Sequence, residues 1–189
     1  MTILNEETIF EAFLGRETEL ILNWLKKSPD NCNVKDPLRG TPFLMACYFG
    51  EEKILDYLFT QNVDIHQKDK NGKNAIFTAV LANRYHIVEK LYKKGININE
   101  KEKRFDSLPL IYAATSNYIE SIEILIRLGA DVNYKNRREK DMLSYVESGV
   151  CKLKTAYLMK YFHLFTEENQ KRIKKIRLKR LFEGEKINL

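Results

Sequence analysis

The sequence predicts an all-α solenoid, in which helix–turn–helix units stack side by side along the chain. Four segments that begin at Thr41, Asn74, Leu108 and Asp141 align with one another at steps of 33, 34 and 33 residues. The stretches between them place apolar residues on one side of a helix and close with similar turns. A period of this length is typical of helical repeat proteins, whose short helix pairs bury their apolar faces only by stacking.

A degenerate helix pair is predicted to cap the N-terminal end of the stack. Within residues 6–27, apolar residues recur at helical spacing and charged residues fill most other positions. A terminal repeat needs a polar outer face of this kind to stay soluble. The apolar residues are Ile9, Phe10, Phe13, Leu20, Ile21, Trp24 and Leu25.

The central repeats carry signals for the start and the end of their helices. Thr41 is suited to cap a first helix, with Pro42 at the first helical position, where its missing N–H does no harm. Gly95 and Gly129 are suited to the left-handed conformation that ends a helix. The second helices are amphipathic, with apolar positions at Ile54, Leu55, Leu58, Ile87, Val88, Leu91, Ile122, Leu125 and Ile126.

A separate helix is predicted to follow a degenerate last repeat. Thr166 is a candidate N-cap for a helix over residues 167–182, with Ile173, Ile176 and Leu181 toward one side. The same helix is strongly basic, with seven Lys or Arg in the ten residues from 171 to 180. Such a helix can cap the solenoid with a solvated basic face, or it can bind nucleic acid or an anionic surface. We favour the cap, because its apolar positions need a partner.

The repeated segments resemble the ankyrin repeat. Its unit of 33 residues carries Thr-Pro-Leu-His-x-Ala and ends in a turn such as Gly-Ala-Asp-Val-Asn. Thr41-Pro-Phe-Leu-Met-Ala46 is similar to the first motif, and Gly129-Ala-Asp-Val-Asn133 matches the second. The motif's histidine is replaced by Leu44, Phe77, Ile111 and Ser144, so we expect apolar packing to carry more of the stability. The expected division is a cap at about 5–35, repeats at about 36–68, 69–101, 102–135 and 136–165, and a C-terminal capping helix and tail at 166–189.

Composition excludes several classes of protein. No apolar run approaches the ~20 residues needed to cross a bilayer, and residues 1–8 contain no secretory signal pattern. Cys32, Cys47 and Cys151 are odd in number and form no Cys-x-x-Cys pair, so neither a disulfide framework nor a metal site is expected. Three reduced, buried thiols in a cytoplasmic protein are the simplest interpretation.

Catalysis is not expected, because the sequence offers no convergent set of reactive groups. His66, His86 and His163 are spread along the solenoid, and no phosphate-loop, dinucleotide or hydrolase motif occurs. A nucleophile pair of Cys47 with His86 stays open as an alternative. Cys47 stands where the family has a small core residue, which favours a buried filler.

The candidate binding surface follows from the resemblance. In ankyrin-like stacks, the tips of the hairpins and the ends of the first helices form an exposed concave face. Aromatic residues and Arg on such a face are typical of binding hot spots. The candidate residues are Leu38, Arg39, Tyr48, Phe49, Lys70, Asn71, Lys73, Leu81, Arg104, Phe105, Tyr112, Thr115, Ser116, Arg137, Arg138 and Tyr145.

The resemblance implies a monomeric protein-binding module without cofactors. Small bacterial ankyrin proteins are similar to immunity proteins that neutralise a toxin domain, so an inhibitor is the first hypothesis. The basic tips predict a partner with an acidic patch. Two alternatives stay open: an effector or adaptor that binds a host protein, and a binder of nucleic acid or an anionic surface through the basic C-terminal helix.

Overall fold

A computed structural model of the protein describes residues 8–35 and 40–184. In these residues the chain forms eleven α-helices, two short 3-10 helices and no strand, which confirms the predicted all-α class. The α-helices are α1 (Ile9–Leu14), α2 (Thr18–Leu25), α3 (Pro42–Phe49), α4 (Glu52–Leu58), α5 (Ala75–Leu81), α6 (Tyr85–Lys93), α7 (Pro109–Thr115), α8 (Ile119–Arg127), α9 (Met142–Glu147), α10 (Thr155–Lys160) and α11 (Glu167–Phe182). The 3-10 helices are Pro29–Asn33 and Phe162–Leu164.

The helices stack in two rows, as a repeat solenoid requires. Each first helix packs on the next, from α1 through α3, α5 and α7 to α9. In the second row α2 packs on α4, and α6 packs on α8. Ala46, Ala79 and Ala113 are fully buried in the first row, where a small side chain lets neighbouring helices approach closely. One continuous apolar core runs between the rows.

Side-chain caps fix where the first helices begin. The Thr41 hydroxyl accepts a hydrogen bond from the amide of Leu44, and Pro42 follows at the first helical position, as predicted. Asn74 and Asp141 cap α5 and α9 in the same way, at 2.9 Å in both cases. These caps hold the tips in register with the first helices, because tip and helix start share the capping residue.

Polar side chains link neighbouring repeats although the family's histidine is missing. The Asn136 amide donates to the Ser107 hydroxyl at 2.9 Å, and the Ser121 hydroxyl donates to Asn83 at 2.8 Å. Asn99 accepts from the backbone amide of Asp131 at 2.9 Å. Hydrogen bonds therefore supplement the apolar packing on which we expected stability to depend.

The C-terminal helix α11 packs against α9 and α10. Thr166 caps it by accepting from the amide of Asn169, and Ile173 and Ile176 are buried, as predicted. The prediction for Leu181 is wrong, since 40% of this residue is exposed. Leu181 comes five positions after Ile176, so it points well away from the buried side of the helix, where Arg180 contacts the last repeat at this turn.

Two arginines of α11 are engaged with the last repeat. Arg172 donates to the buried Asp141 and to Glu147, and Arg180 donates to the carbonyl oxygen of Leu153 at 2.6 Å. Two of the basic residues of this helix therefore serve to hold it on the last repeat, in agreement with the capping interpretation.

Within the described ranges, no helix is both long and apolar enough to cross a membrane. The three cysteine thiols are free and buried.

Candidate protein-binding surface

Most of the predicted binding residues line two neighbouring depressions on the side formed by the tips and first helices. Leu38 and Arg39 lie outside the described residues. Lys70, Ser116 and Arg137 lie nearby but line neither depression. The first depression, of about 320 Å³, is lined by Leu14, Leu44, Met45, Tyr48, Phe49, Asp69, Asn71, Lys73, Thr78 and Leu81. The second, of about 280 Å³, is lined by Lys73, Phe77, Glu102, Arg104, Phe105, Ser107, Tyr112, Thr115, Asn136, Arg138 and Tyr145.

The first depression has an aromatic wall at the end of α3. Tyr48 is 40% exposed, and its ring meets the edge of Phe49 at 5.2 Å between centroids. Phe49 is half-buried, because its other face stacks on the fully buried Phe13 of α1 at 6.2 Å. Phe49 is therefore shared between the core and the depression. Tyr48 is the aromatic side chain that this wall offers to a ligand.

Leu14 enlarges the first depression and was missed from the sequence. It ends α1, is 55% exposed and lines the same depression as Tyr48. It belongs to the N-terminal cap, from which no binding residue was predicted. The end of each first helix lies on the same side, so the helical position of Leu14 was the available signal.

Phe105 organises the second depression at the tip before α7. The guanidinium of Arg138 lies 3.9 Å from the centroid of this ring, and that of Arg104 lies 4.8 Å from it. Contacts of this kind hold a long, flexible side chain over an aromatic face. The depression therefore has a ring with two positive charges beside it.

Glu102, a residue that sequence reasoning missed, shapes the backbone of the same tip. It is buried, and its carboxylate accepts from the amides of Arg104 at 2.8 Å, Phe105 at 2.6 Å and Ser107 at 3.2 Å. Three amide donors satisfy both oxygens and fix the loop that presents Arg104 and Phe105. An acidic residue just before a basic and aromatic tip is the signal that could have identified it.

The positive side chains of the depressions lack acidic partners in the part of the chain that the structure describes. No carboxylate forms an ion pair with Lys73, Arg104 or Arg138 there. The Lys73 ammonium group lies 5.8 Å from the centroid of the Phe77 ring. By contrast, Asp106 accepts from the Tyr134 hydroxyl at 2.6 Å and pairs with Lys101. The Tyr134 hydrogen bond, with Lys101, holds the pKa of Asp106 below its usual range.

The remaining predicted residues play mixed parts. Tyr112 packs against Phe77 at 5.8 Å between centroids, so it is half core and half wall. Tyr145 is half-buried at the far side of the second depression. The Thr115 hydroxyl donates to the carbonyl of Ile111, which leaves less of its hydrogen-bonding capacity for a ligand. Leu81 contributes apolar surface to the first depression.

The alternative of a Cys47–His86 nucleophile finds no support in the geometry. Cys47 is fully buried, and burial raises the pKa of its thiol, which disfavours the reactive thiolate. His86 is exposed on α6, where its Nε2 atom lies 3.4 Å from the carbonyl oxygen of Gly50. Among residues 8–35 and 40–184, no group of three His, Cys, Asp or Glu is placed to hold a metal ion.

Comparison with known families settles what kind of repeat this is. The family profile described as "Ankyrin repeats (3 copies)" matches residues 10–102, and the profile "Ankyrin repeat" matches residues 107–137. The chain belongs to the ankyrin-repeat family. Ankyrin repeats bind other proteins, and they are in general binding modules rather than catalysts.

The relatives of this chain are larger proteins of several kinds. The chain is 34% identical over 110 residues to alpha-latrocrustotoxin-Lt1a of Latrodectus tredecimguttatus, and this alignment covers 58% of the chain and 8% of the toxin. It is 30% identical over 96 residues to Ankyrin repeat and SOCS box protein 5 of Oryctolagus cuniculus, covering 51% and 29%. A third relative, glycerophosphocholine phosphodiesterase gde1 of Schizosaccharomyces pombe, is 24% identical over 163 residues, covering 86% and 14%. The chain thus spans less than a third of the length of each of these relatives.

Proposed function

We propose that this ankyrin-repeat protein is a non-catalytic binding module that holds a partner protein on its concave face and thereby inhibits it. The observation that carries the proposal is the pair of contiguous depressions, which bring together an exposed aromatic side chain and three cations that have no carboxylate partner among the described residues. Neither feature is required by the fold. Both are typical of the centre of a binding interface, where aromatic residues and Arg supply most of the energy.

The size and position of the surface support inhibition. A partner that covers both depressions spans the first-helix row from α1 to α9, and an interface of this extent blocks whatever site lies beneath it. An immunity-type protein works in this stoichiometric way. An adaptor or effector that binds a host protein would use the same surface, and the identity of the captured partner separates the two.

The proposal includes the organisation and setting of the chain. The cap at about 5–35, the four repeats to about 165 and the C-terminal helix and tail form one binding unit that is monomeric before it meets its partner. It needs no cofactor. We place it in the cytoplasm, a setting that suits three free and buried thiols.

Replacing Tyr48 with Ala tests the concave face directly. We expect the affinity for a partner captured from the native organism to fall by about 1–2 kcal/mol, because Tyr48 presents an exposed ring without being part of the core. Tyr92 provides a matched control, since it is also 40% exposed but lies on the second-helix row in α6. Calorimetry with the purified partner is the measurement. Equal losses for Tyr48→Ala and Tyr92→Ala, or a loss only for Tyr92→Ala, would contradict the proposal.

The unpaired cations predict that association is steered by charge. We expect the association rate to fall several-fold when salt is raised from about 50 to 500 mM, while the dissociation rate changes little. Stopped-flow or surface-based kinetics at the two concentrations gives both rates. An association rate that is indifferent to salt would show that the partner's contact surface is not acidic.

The basic helix α11 offers the second candidate function, a binder of nucleic acid or an anionic surface. Lys171, Lys174, Lys175 and Lys179 remain exposed on it, whereas Arg172 and Arg180 are engaged with the last repeat. These four lysines and the half-buried Arg177 form a smaller positive surface than the sequence run of seven suggested. Loss of ligand on changing these lysines to Gln, with the Tyr48→Ala variant unaffected, would favour this second function.

A further inference from the structure

We propose that the second depression is a carboxylate subsite, and that the partner inserts an acidic side chain there and an apolar side chain into the first depression. This inference rests on the proposed function and adds the chemistry of the segment that is bound. It identifies the bound segment by an acidic and an apolar residue at a defined separation.

The donors of the second depression are arranged for an anion. Arg104 and Arg138 both line this depression, and their guanidinium groups lie 4.8 and 3.9 Å from the centroid of the same Phe105 ring. Two like charges repel, and the ring offsets only part of that repulsion. A carboxylate in the depression would relieve this repulsion and would accept paired N–H bonds from a planar guanidinium group.

Among the described residues, the acidic groups near this depression form no ion pair with Arg104 or Arg138. Glu102 lines the depression and is buried, and its two oxygens accept from three backbone amides of the tip. Asp69, which faces the first depression, accepts from the amides of Asn71 and Lys73, both at 2.8 Å. Asp106 at the same tip pairs with Lys101 and Tyr134. The guanidinium donors therefore remain available to a ligand.

The first depression has the opposite character. Leucine, methionine and aromatic side chains form most of its lining, and Leu14 and Tyr48 are the exposed ones among them. An apolar side chain that enters it removes surface from water on both sides of the contact. Lys73 lines both depressions, so one bound segment can occupy them together.

The separation of the depressions limits the spacing of the two side chains. The first lies over α3 and α5 and the second over α7, which is one to two helix spacings of about 8–10 Å each. An extended segment advances about 3.3 Å per residue, so the apolar and the acidic residue should be roughly three to six positions apart. This combination favours a protein segment over a nucleic acid strand, which would carry phosphates along its whole length.

Selection from a library of random twelve-residue peptides, with the full chain as bait, tests the inference. We expect the enriched peptides to share an acidic residue and an aromatic or leucine residue three to six positions apart. The affinity of an enriched peptide should fall about tenfold on the double substitution Arg104→Gln and Arg138→Gln. A peptide whose acidic residue is changed to the corresponding amide should bind the double variant and the wild-type protein with equal affinity.

A charge-matched control separates the subsite from the general field of the protein. Lys135→Gln with Lys140→Gln removes two positive charges beside the tip that carries Arg138, at exposed residues that line neither depression. We expect this variant to bind the enriched peptide within about twofold of the wild type. Equal losses in the two double variants would overturn the subsite, because a diffuse positive field would then explain the binding.

The remaining outcomes distinguish failure of the carboxylate subsite from failure of the proposed function. Enriched peptides without acidic residues that still lose binding on Tyr48→Ala would overturn the carboxylate subsite and leave the proposed function standing. Peptides that bind every concave variant as tightly as the wild type, or a selection that enriches none, would count against both. A twelve-nucleotide single strand that competes with the peptide and loses binding in the Arg104→Gln, Arg138→Gln variant would assign the site to nucleic acid instead.

Discussion

Replacing Arg172 with Met is expected to lower the free energy of unfolding by about 3–5 kcal/mol, the cost of removing one partner from a buried ion pair. Asp141 is fully buried, and its carboxylate accepts from both terminal guanidinium nitrogens of Arg172, one of them at 3.1 Å. Met fills most of the space but donates nothing. The carboxylate would then keep only Ser144, whose amide and hydroxyl donate at 2.9 and 2.8 Å.

Hydrogen exchange gives the clearest measurement, because the effect should be local. Stability in a solenoid is transmitted between neighbouring repeats, so protection should be lost first in α9, α10 and α11. Lys171→Met is the matched control, since Lys171 is exposed one position earlier on the same helix. A loss for Arg172→Met below about 1 kcal/mol, the range of exposed ion pairs, would contradict the structural role of this contact.

The cost of the Arg172 substitution should also depend on pH. Burial by itself raises the pKa of the Asp141 carboxyl, but hydrogen bonds from Arg172 and Ser144 outweigh it and leave the pKa below its usual value. A carboxyl with a lowered pKa adds stability above its unfolded-state pKa of about 3.9, and the gain is lost as pH falls through the folded-state pKa. Loss of Arg172 leaves the Asp141 pKa of the variant above that of the wild type. The difference in stability should therefore be largest near pH 7 and should shrink as pH falls through these two folded-state pKa values.

The fold could be predicted from the sequence because its signals are local and repeated. Thr41 with Pro42, and Gly95 and Gly129 one and two repeats on, mark helix boundaries through backbone chemistry that does not depend on distant residues. The period then places each helix beside its equivalent in the next repeat. The C-terminal helix was predicted over residues 167–182 for the same reason, since Thr166 is a local cap.

The surface was only partly predictable, because it depends on contacts between repeats. Phe49 stacks on Phe13, which lies in another helix pair and which no local pattern connects to it. The pairing of Arg138 with Phe105 also joins two tips that are far apart in sequence. Position along the first helix indicates which residues face the concave side. It does not indicate which of them a neighbouring repeat already covers.

The N-terminal cap contributes to the binding face as well as to stability. Phe13 anchors Phe49 from below, while Leu14 forms an exposed wall of the first depression. A loosened contact between α1 and α3 would therefore displace both. Stability at this end of the solenoid and affinity at the first depression should be coupled through Phe49.

Replacing Phe49 with Ala is expected to lower the free energy of unfolding by roughly 2–3 kcal/mol, somewhat less than the ~3–5 kcal/mol typical of a fully buried Phe. The side chain is half-buried, and its removal eliminates the ring contacts with Phe13 and with Tyr48. Tyr48→Ala, at 40% exposure, should cost less than about 1 kcal/mol of stability. Thermal melting and calorimetric affinity, measured on both single variants, separate the two roles. Tyr48→Ala should weaken binding with little change in melting temperature, whereas Phe49→Ala should lower the melting temperature and weaken binding through the displaced wall. If Phe49→Ala melts like the wild type, the stack on Phe13 does not hold the cap, and Phe49 is then a contact residue of the same kind as Tyr48.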